Sequence, residues 1–514
     1  MSAPDERTAE LRTDVLIVGA GPSGLMLAVC LAKLGVDAII VDGKAGPTRE
    51  SRALAVQARS MEIYDQLGLV DRVLAGRSPA TSVVPGAGSK PFGRVELRGL
   101  GEGVTPYTEV TVFEQSRTER LLVDALRELG REVRWGHPLA RLEVVDGRRA
   151  GEEASVVATL TGPDGDVTVR ARYCVGADGA HSPVRETLGI PFEGVTNEHS
   201  FYVADGAGVT GLVDGSVNIR VTAEHFLLAF PMGPGRMRLL GVVRDRDAEP
   251  DGHIAESNVR ALLRREFAVA YTESAWFATY RLHHRLAARF RAGPCFLVGD
   301  AAHIHSPVGA QGMNTGLQEA HNLACALADV LVGGMPDARL DRYEAERRPV
   351  GEILVATTDR MFGVVTSDSR LATFVRGRVV PIVGPLAVRL LPRLVGGRRV
   401  FGYLSQTRIH YRMSPRASAR RGPVVGRRLP WTGDNFDVLR SMTWQVHGYG
   451  VPAAEVARIA SSLGLEGHAF PLDRLGRLDP GLVYLVRRDG FVAAAASARA
   501  VPGGPPAFRE QLAG

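Results

Sequence analysis

The sequence predicts an α/β fold in which a mostly parallel sheet is interrupted by a mainly β region and followed by a smaller α/β region. Three observations predict it. A strand–turn–helix–strand pattern occupies Asp14–Asp42. Two further apolar strands, before Asp178 and before Asp300, also end at glycine and an acid. Between them, the stretch from Ile190 to Tyr280 is rich in short β-like runs such as FLLAF and MRLLGVV.

The length and composition allow several hydrophobic cores. The chain has 514 residues, of which 45% are apolar and 23% are charged. We expect a discontinuous first domain formed by residues 1–190 and 281–420, an inserted β-sheet domain at 191–280, and a C-terminal α/β domain at 422–514.

The turn after the first predicted strand carries a nucleotide-binding pattern. Gly19, Gly21 and Gly24 have G-x-G-x-x-G spacing, and an apolar helix pattern follows them. Gly21 lets a pyrophosphate approach the backbone, and the helix N-terminus faces the phosphates. Asp42 ends the second strand, where it can accept hydrogen bonds from ribose hydroxyls. A glycine motif alone is weak evidence. The full order of strand, glycine turn, helix, strand and terminal acid predicts a Rossmann-like dinucleotide site.

The net charge of +6 has several readings. Only three of the 62 basic residues are lysines, and no acid occurs between Asp368 and Asp434. No nucleic-acid motif accompanies this charge, so an arginine-rich composition with a solvated helical face explains it. A second interpretation is that the positive charge attracts an anionic cofactor such as NADPH. The polar N-terminus lacks the features of an export signal, so we expect a cytoplasmic protein with no nucleic-acid partner and no stable membrane association.

The cysteines and histidines do not form a recognisable metal site. His303 and His305 lie near Asp300, but no third ligand is evident, so packing at a helix start explains them better than a metal does. We expect no metal. The cysteines lie far apart in apolar runs, which predicts reduced core thiols; they are Cys30, Cys174, Cys295 and Cys325.

Two polar residues have alternative readings that the sequence leaves open. Gln115 lies between a predicted strand and a helix, where it either contacts a nucleotide or simply begins the helix. Arg52 either reaches a cofactor or forms a local ion pair. Within the predicted helix, Ser116 and Glu119 have capping-box spacing.

Taken together, the three glycine-lined strand ends resemble the flavoprotein aromatic hydroxylases of the para-hydroxybenzoate hydroxylase family. The similarity is closest to the branch that acts on aromatic polyketides. It is specific at Asp14–Asp42, at Tyr173–Arg185 and at Gly293–Gly316. The resemblance implies a Rossmann-like FAD-binding domain of the glutathione-reductase type, an inserted β-sheet substrate domain and a thioredoxin-like C-terminal domain.

The resemblance also implies that FAD lies across the three strand ends. The first glycines and Asp42 would hold its pyrophosphate and ribose, and Asp300 would bind the ribityl chain. A helix beginning near Gly312 would present its amides to the flavin. Arg52 is the catalytic candidate, as a group that stabilises an oxyanion. The residues implied to bind the cofactor are Gly19, Ala20, Gly21, Ser23, Gly24, Asp42, Arg52, Gln115, Asp178, Gly299, Asp300, Pro307, Gly312, Met313 and Asn314.

The implied activity is NAD(P)H-consuming monooxygenation with O2 through a flavin C4a-hydroperoxide. Ring hydroxylation of a polycyclic aromatic polyketide in antibiotic biosynthesis is favoured. Baeyer–Villiger oxidation and a membrane-surface quinone-type hydroxylase stay open as alternatives. A flavin halogenase would carry a W-x-W-x-I-P stretch. The residues after Trp276 are Phe-Ala-Thr, which do not match that stretch, so a halogenase is disfavoured.

Further expectations concern the reductant, the substrate and the C-terminal domain. No second dinucleotide motif occurs, so NAD(P)H is expected to visit the FAD site transiently, with NADPH favoured. Tyr202, His225 and Trp276 are candidates for the substrate cavity, although core packing is the more common role for each. The C-terminal domain has no cysteine, which excludes C-x-x-C redox chemistry there and favours a structural or assembly role. We expect a monomer or a homodimer.

Overall fold

The computed structural model consists of three main sheets with helices packed on them. It describes residues 10–48, 53–97, 101–145, 154–244, 254–305, 311–367, 369–394, 401–402, 405–411, 424–499 and 503–514, with the side chains of 196–199, 282, 358–366 and 391–394 excepted.

The first sheet has eight strands and contains a parallel core, as the sequence predicts. Five strands run parallel in the spatial order 133–135, 38–42, 10–18, 165–176 and 295–297. Their carboxyl ends therefore lie along one edge of the sheet. The eight strands are Glu10–Val18, Ala38–Asp42, Val133–Trp135, Leu139–Val145, Ser155–Gly162, Gly165–Gly176, Arg291–Ala292 and Cys295–Leu297.

Helices cover the parallel strands. The first is Pro22–Lys33, in which every residue from Gly24 to Leu31 is buried, and it packs on the long helix Gly312–Leu331. A small sheet of Ala55–Val56, Ser78–Ala80 and Val110–Val112 lies beside them. The other helices of this part are Ala58–Gln66, Val70–Gly76, Gln115–Glu128, Pro183–Thr187 and Asp341–Thr366.

The second large sheet has nine strands and two differently covered faces. One face packs on the helix Glu256–Phe267 through residues that include Tyr202 and Leu239. The other face packs against the small sheet through residues that include Phe230 and Leu240. The nine strands are Ser82–Ala87, Lys90–Pro91, Val95–Glu96, Phe192–Ala207, Ser216–Val221, Phe226–Gly233, Arg236–Val243, Glu273–Ala287 and His303–Ile304.

Four strands of this sheet come from residues predicted to belong to the first domain: the three between Ser82 and Glu96, and His303–Ile304. Ser82–Ala87 pairs in parallel with Ser216–Val221, and the two short strands after it complete that edge. The residue boundaries of the domains stay a prediction.

The C-terminal sheet has four strands. Gln445–Tyr449 pairs in parallel with Glu466–Phe470 and antiparallel with Leu482–Val486, which pairs antiparallel with Val492–Ser497. The helix Ala453–Ser461 connects the parallel pair, and Pro506–Leu512 follows the last strand.

One helical stretch before the C-terminal sheet is long and apolar. Among the described residues, Arg370–Leu390 alone has the length and composition of a membrane-crossing helix, and most of it is exposed. It comprises Arg370–Phe374, the π-helical segment Val375–Val379 and the first part of Val380–Leu394.

Candidate functional site

The three predicted glycine turns meet at the carboxyl edge of the parallel sheet. Strand register places Val18 beside Gly176, and Gly176 beside Leu297. The turns that follow these strands are therefore neighbours, although more than 100 residues separate each from the next. This convergence is what a ligand lying across the strand ends requires.

The first turn is packed so closely that two of its glycines cannot be replaced without strain. Gly19 has φ +105°, and a Cβ added there would lie 2.3 Å from the carbonyl oxygen of Ala177. A Cβ added to Gly24 would lie 1.9 Å from the carbonyl oxygen of Gly19. The middle glycine differs, because a Cβ at Gly21 would meet no heavy atom within 4 Å. Open space at Gly21 beside a helix N-terminus fits the pyrophosphate of FAD.

Ser23 joins the first turn to the third. Its side chain occupies a narrow slot, because a Cβ added to Gly299 would lie 2.5 Å from Ser23 Oγ and one added to Gly316 would lie 2.3 Å from it. Gly299 also has φ +61°, which favours glycine. The helix that begins the fold and the helix that follows the third turn are thus in direct contact at Ser23.

Asp42 ends its strand and supports the glycine turn. Its Oδ2 accepts a hydrogen bond of 2.6 Å from Ala20 N, and its Oδ1 accepts one of 2.8 Å from Lys44 N. The Lys44 ammonium lies 3.7 Å from the same carboxylate. The carboxylate is therefore held at the place where the sequence predicts a ribose contact.

Gln115 is the first residue of its helix and lies on the cavity wall. Its Oε1 accepts a hydrogen bond of 3.2 Å from Ala53 N, and its Nε2 donates one of 3.0 Å to Glu119. The predicted capping box is wrong. The helix begins at Gln115, so Glu114 and not Ser116 holds the N-cap position, and no side chain caps it. The Glu119 carboxylate accepts a hydrogen bond of 2.7 Å from Thr48 N.

The Asp178 carboxylate stabilises the second glycine turn through a hydrogen bond on the side away from the cavity lining. Its Oδ2 accepts a hydrogen bond of 3.0 Å from Val184 N at the start of a short helix. Burial raises the pKa of Asp178, in spite of the hydrogen bonds that favour its charged form. Ala177 and Gly179, on either side of it, line the cavity. The predicted contact of Asp178 with the cofactor stays a prediction.

Beside the third turn lies a buried acid that the sequence analysis missed. Glu319 is fully buried in the helix Gly312–Leu331, and it accepts a hydrogen bond of 2.9 Å from Gly299 N. Its other oxygen lies 2.8 Å from His303 Nε2. The available signal was an acid that directly precedes the apolar part of a helix, where a buried charge needs partners. Asp300, next to Gly299, is exposed and lines the cavity.

The long helix begins at the predicted residue. Gly312 is its first residue, and Gly312 and Met313 line the cavity. Asn314 is buried, and its side chain accepts a hydrogen bond from Gln57 N and donates one to the carbonyl of Ala55, both at 2.8 Å. It therefore fixes the helix start to the small sheet. Two predicted residues, Arg52 and Pro307, lie outside the described residues, and their roles stay predictions.

A cavity of about 490 Å³ lies between the three turns and the nine-stranded sheet; Asp42, Asp178, Asn314 and Glu319 support its wall and are not among its lining residues. The three turns and the helix start form one side, with Gly21, Ser23 and Asp300 among the lining residues. The nine-stranded sheet contributes Phe230, Arg238 and Leu240 on the other side.

Arg238, which lines the cavity on the sheet side, forms an ion pair that the sequence did not predict. Arg238 donates from Nε and Nη2 to the two oxygens of Asp205, both at 2.6 Å. Trp276 lies beside the pair, with the guanidinium carbon 5.3 Å from the ring centroid. Tyr202 instead belongs to the core on the opposite face, and His225 is also buried. No sequence motif marks the pair, because its two members are 33 residues apart and are joined only by strand register.

The remaining candidates are the two histidines near Asp300 and the four cysteines, and the expected absence of a metal stays a prediction. No cluster of three metal-ligating side chains occurs within the described part of the chain. His303 is engaged by Glu319, and His305 lies on the cavity wall. The four cysteines are buried and free, as expected.

Comparison with known proteins gives a consistent picture. The FAD binding domain family matches residues 12–358. The 6-methylpretetramide 4-monooxygenase of Streptomyces rimosus is 35% identical over 412 residues, which cover 78% of this chain and 70% of that protein.

Two solved structures resemble the chain over nearly its full length. OxyS, an anhydrotetracycline hydroxylase from Streptomyces rimosus, has a TM-score of 0.74 and 28% identity, with 98% of this chain and 100% of that chain covered. CabE, an aromatic hydroxylase from angucycline biosynthesis, has a TM-score of 0.74 and 27% identity, with 95% and 97% covered.

Proposed function

The chain belongs to the FAD-dependent monooxygenases, and from that premise we propose that it hydroxylates the ring of a polycyclic aromatic polyketide in antibiotic biosynthesis. The substrates named for its relatives support this class, since 6-methylpretetramide, anhydrotetracycline and the angucyclines are all polycyclic.

One observation carries the proposal. A single cavity of about 490 Å³ touches the glycine turns on one side and, on the other, a sheet face that contributes Phe230, Leu240 and Arg238. The turns fit FAD, because Gly21 leaves space beside a helix N-terminus and Asp42 is held next to it. Phe230 and Leu240 provide the flat apolar surface that an aromatic ring needs.

The overall reaction balances as substrate, O2, NAD(P)H and a proton giving hydroxylated substrate, NAD(P)+ and water. FAD, when bound, supplies the redox chemistry that activates oxygen. The protein binds and orients the reactants and excludes water. The first-turn glycines and Asp42 would hold the nucleotide, Gln115 and Asp300 would position it from the cavity wall, and the amides of Gly312 and Met313 would stabilise negative charge on the ring. Arg52 is proposed to stabilise an oxyanion.

Several finer points belong to the same proposal. NADPH is the favoured reductant, and the net charge of +6 supports attraction of its additional phosphate.

The C-terminal sheet has the strand order 466–470, 445–449, 482–486, 492–497, with one parallel pair. This order supports a thioredoxin-like domain of structural function. The protein is proposed to act in the cytoplasm as a monomer or homodimer without stable membrane association. Co-sedimentation with liposomes tests the last point.

The decisive experiment measures oxygen transfer directly. The FAD-loaded protein is mixed with NADPH or NADH and a panel of polycyclic aromatic polyketides, and reductant consumption is followed with product mass. We expect at least one polyketide to accelerate reductant consumption and to gain one oxygen atom. NMR of the product then distinguishes a new phenol from the lactone of a Baeyer–Villiger oxidation.

Three outcomes would contradict the proposal. A protein that stays colourless after dialysis against excess FAD does not bind the cofactor. An FAD-loaded protein whose NAD(P)H consumption no aromatic compound changes is a flavin-binding module without oxygenase activity. A lactone product would replace ring hydroxylation with the Baeyer–Villiger alternative.

A further inference from the structure

A four-residue row crosses the sheet face that borders the cavity. Strand register places Trp276 opposite Asp205, Asp205 opposite Arg238, and Arg238 opposite Phe230. Residues directly opposite each other in antiparallel strands project from the same face. Of the three residues that this sheet contributes to the described cavity lining, Arg238 alone is charged.

The ion pair fixes the plane of the Arg238 guanidinium. Asp205 accepts from Nε and from Nη2, so one whole edge of the guanidinium is occupied. Because the group is planar, Nη1 is directed away from Asp205. Nη1 is shielded from solvent and has no hydrogen-bond partner among the described residues. Arg238 is only 1% exposed, and a buried donor of a charged group that lacks an acceptor is strongly unfavourable.

We propose that Arg238 is a specificity-determining residue whose Nη1 donates a hydrogen bond to a phenolate or enolate oxygen of the aromatic substrate. Asp205 acts as a positioning residue that holds the guanidinium in place. This inference rests on the proposed function, and it adds the chemical class of the substrate: a flat ring with an acidic hydroxyl group.

The surroundings favour an oxygen acceptor over other ligands. Phe230 is the next residue of the row after Arg238, and the Trp276 ring centroid lies 5.3 Å from the guanidinium carbon, so two aromatic rings lie near the guanidinium. In such a dry setting, a charged donor stabilises the ionised form of a phenol. Ionisation also makes the ring more electron-rich, which is the activation that hydroxylation requires. Arg238 would therefore help to select substrates that can be activated.

The test uses 2-hydroxyanthraquinone and its methyl ether, 2-methoxyanthraquinone, as probes of the FAD-loaded protein. Affinity is read from the change in flavin fluorescence, and the charge of the bound hydroxy probe from its visible absorption. We expect the hydroxy probe to bind at least tenfold more tightly than the ether, which is the lower end of the effect of a hydrogen bond to a charged group. The bound hydroxy probe should ionise at a lower pH than the free probe.

The variants separate a contact from a structural effect. Arg238→Gln should reduce the preference for the hydroxy probe to near one while leaving the affinity for the ether unchanged, and Arg238→Lys should restore part of the preference. Arg220→Gln is the matched control. Arg220 is equally buried in the same sheet and donates to the carbonyl of Val84 at 2.6 Å, and it is not among the described cavity residues, so its loss should leave the preference intact.

The proposal has clear contrary outcomes. It is overturned if the wild type binds both probes equally or neither, if the bound phenol ionises at the same or a higher pH, or if Arg238→Gln keeps the preference. The ionisation measurement needs no variant, so it remains decisive even if a variant fails to fold. If the protein transfers oxygen to a polyketide but Arg238→Gln does not change the preference for the hydroxy probe, only this inference is refuted. If the protein does not bind FAD, the proposed function is refuted.

Discussion

The carboxylate of Glu319 lies 2.8 Å from Nε2 of His303, and both side chains are shielded from solvent. The same carboxylate accepts a hydrogen bond from Gly299 N. Gly299 is part of the turn that borders the proposed flavin cavity. The protonation of one buried histidine is thereby linked to the geometry of the third glycine turn.

This relationship predicts a pH-dependent stability. Burial by itself would lower the pKa of His303, but the charge of Glu319 and its hydrogen bond outweigh burial and raise it. A raised histidine pKa contributes stability that is complete below the unfolded value of about 6.5 and is lost as the pH rises through the folded value. The melting temperature should therefore contain a contribution that declines from about pH 6.5 upward.

Glu319→Gln tests this link. Without the carboxylate, burial keeps His303 neutral, so the decline above pH 6.5 should disappear, and at pH 6 the variant should be less stable by about 1–3 kcal/mol. Melting temperatures of the FAD-loaded protein from pH 5.5 to 8.5 provide the measurement. As a control, Glu319→Gln in a His303→Asn background should leave the pH profile unchanged. An unaltered decline in the single variant would show that another group causes it.

The glycines of the first turn predict two separable defects. Gly21 has φ −78°, and a Cβ there meets nothing within 4 Å, so Gly21→Ala should preserve the fold. The new methyl group would nevertheless occupy the space proposed for the pyrophosphate, and FAD affinity should fall at least about tenfold, or 1.4 kcal/mol. Gly24→Ala should instead reduce stability, because its Cβ would lie 1.9 Å from the carbonyl oxygen of Gly19.

Equilibrium titration with FAD and melting of the FAD-free protein distinguish these defects. Gly46→Ala is a suitable control, since its Cβ also meets nothing within 4 Å and Gly46 is not among the described cavity residues. Normal FAD affinity in Gly21→Ala would place the pyrophosphate elsewhere.

The sequence was sufficient for features whose causes are local. The apolar run ending at Val18, the glycine spacing and the terminal Asp42 predict the observed strand, helix and strand within a few residues. The helix begins at Pro22, within the glycine motif and before the apolar pattern, because the fixed φ of proline suits the first helical position.

Features that depend on distant partners were not predictable. Ser116 and Glu119 have the local spacing of a capping box, but the Glu119 carboxylate accepts a hydrogen bond from Thr48 N, which lies in another part of the chain. The pairing of Ser82–Ala87 with Ser216–Val221 likewise joins strands more than 100 residues apart. The Asp205–Arg238 pair depends on strand register, which no local pattern specifies.

The C-terminal sheet is attached through a buried charge cluster, and this predicts a large effect of one arginine. Arg487 donates to Glu346 Oε2 at 2.9 Å and to Asp489 Oδ2 at 2.6 Å, and all three side chains are buried. Arg487→Met would leave the two carboxylates without the cation that bridges them. We expect a loss of about 3–5 kcal/mol, the usual effect of breaking a buried ion pair.

The pH dependence of that variant has a definite sign. Burial raises the pKa of Asp489, but Arg487 and its neighbours more than compensate and lower it, so the wild type loses this stability only as the pH falls through that low value. In Arg487→Met the paired carboxylates should take up a proton readily, and the variant should regain stability between pH 8 and 5. Arg440→Met provides the contrast, because Arg440 is 52% exposed although its partner Asp65 is only 12% exposed, and its loss should cost about 1 kcal/mol. Equal losses in the two variants would contradict a structural role for the cluster.

The slot around Ser23 predicts a coupling between two substitutions. A Cβ at Gly316 would lie 2.3 Å from Ser23 Oγ but 3.2 Å from Gly299 Cα. Gly316→Ala should therefore destabilise the FAD-free protein by about 1–3 kcal/mol through overpacking. Gly316 lies inside a helix, where alanine is otherwise favoured by about 0.5–1 kcal/mol, so in a Ser23→Ala background the same substitution should be nearly neutral. Melting of the four proteins gives the coupling energy, and purely additive effects would mean that the two helices do not meet at Ser23.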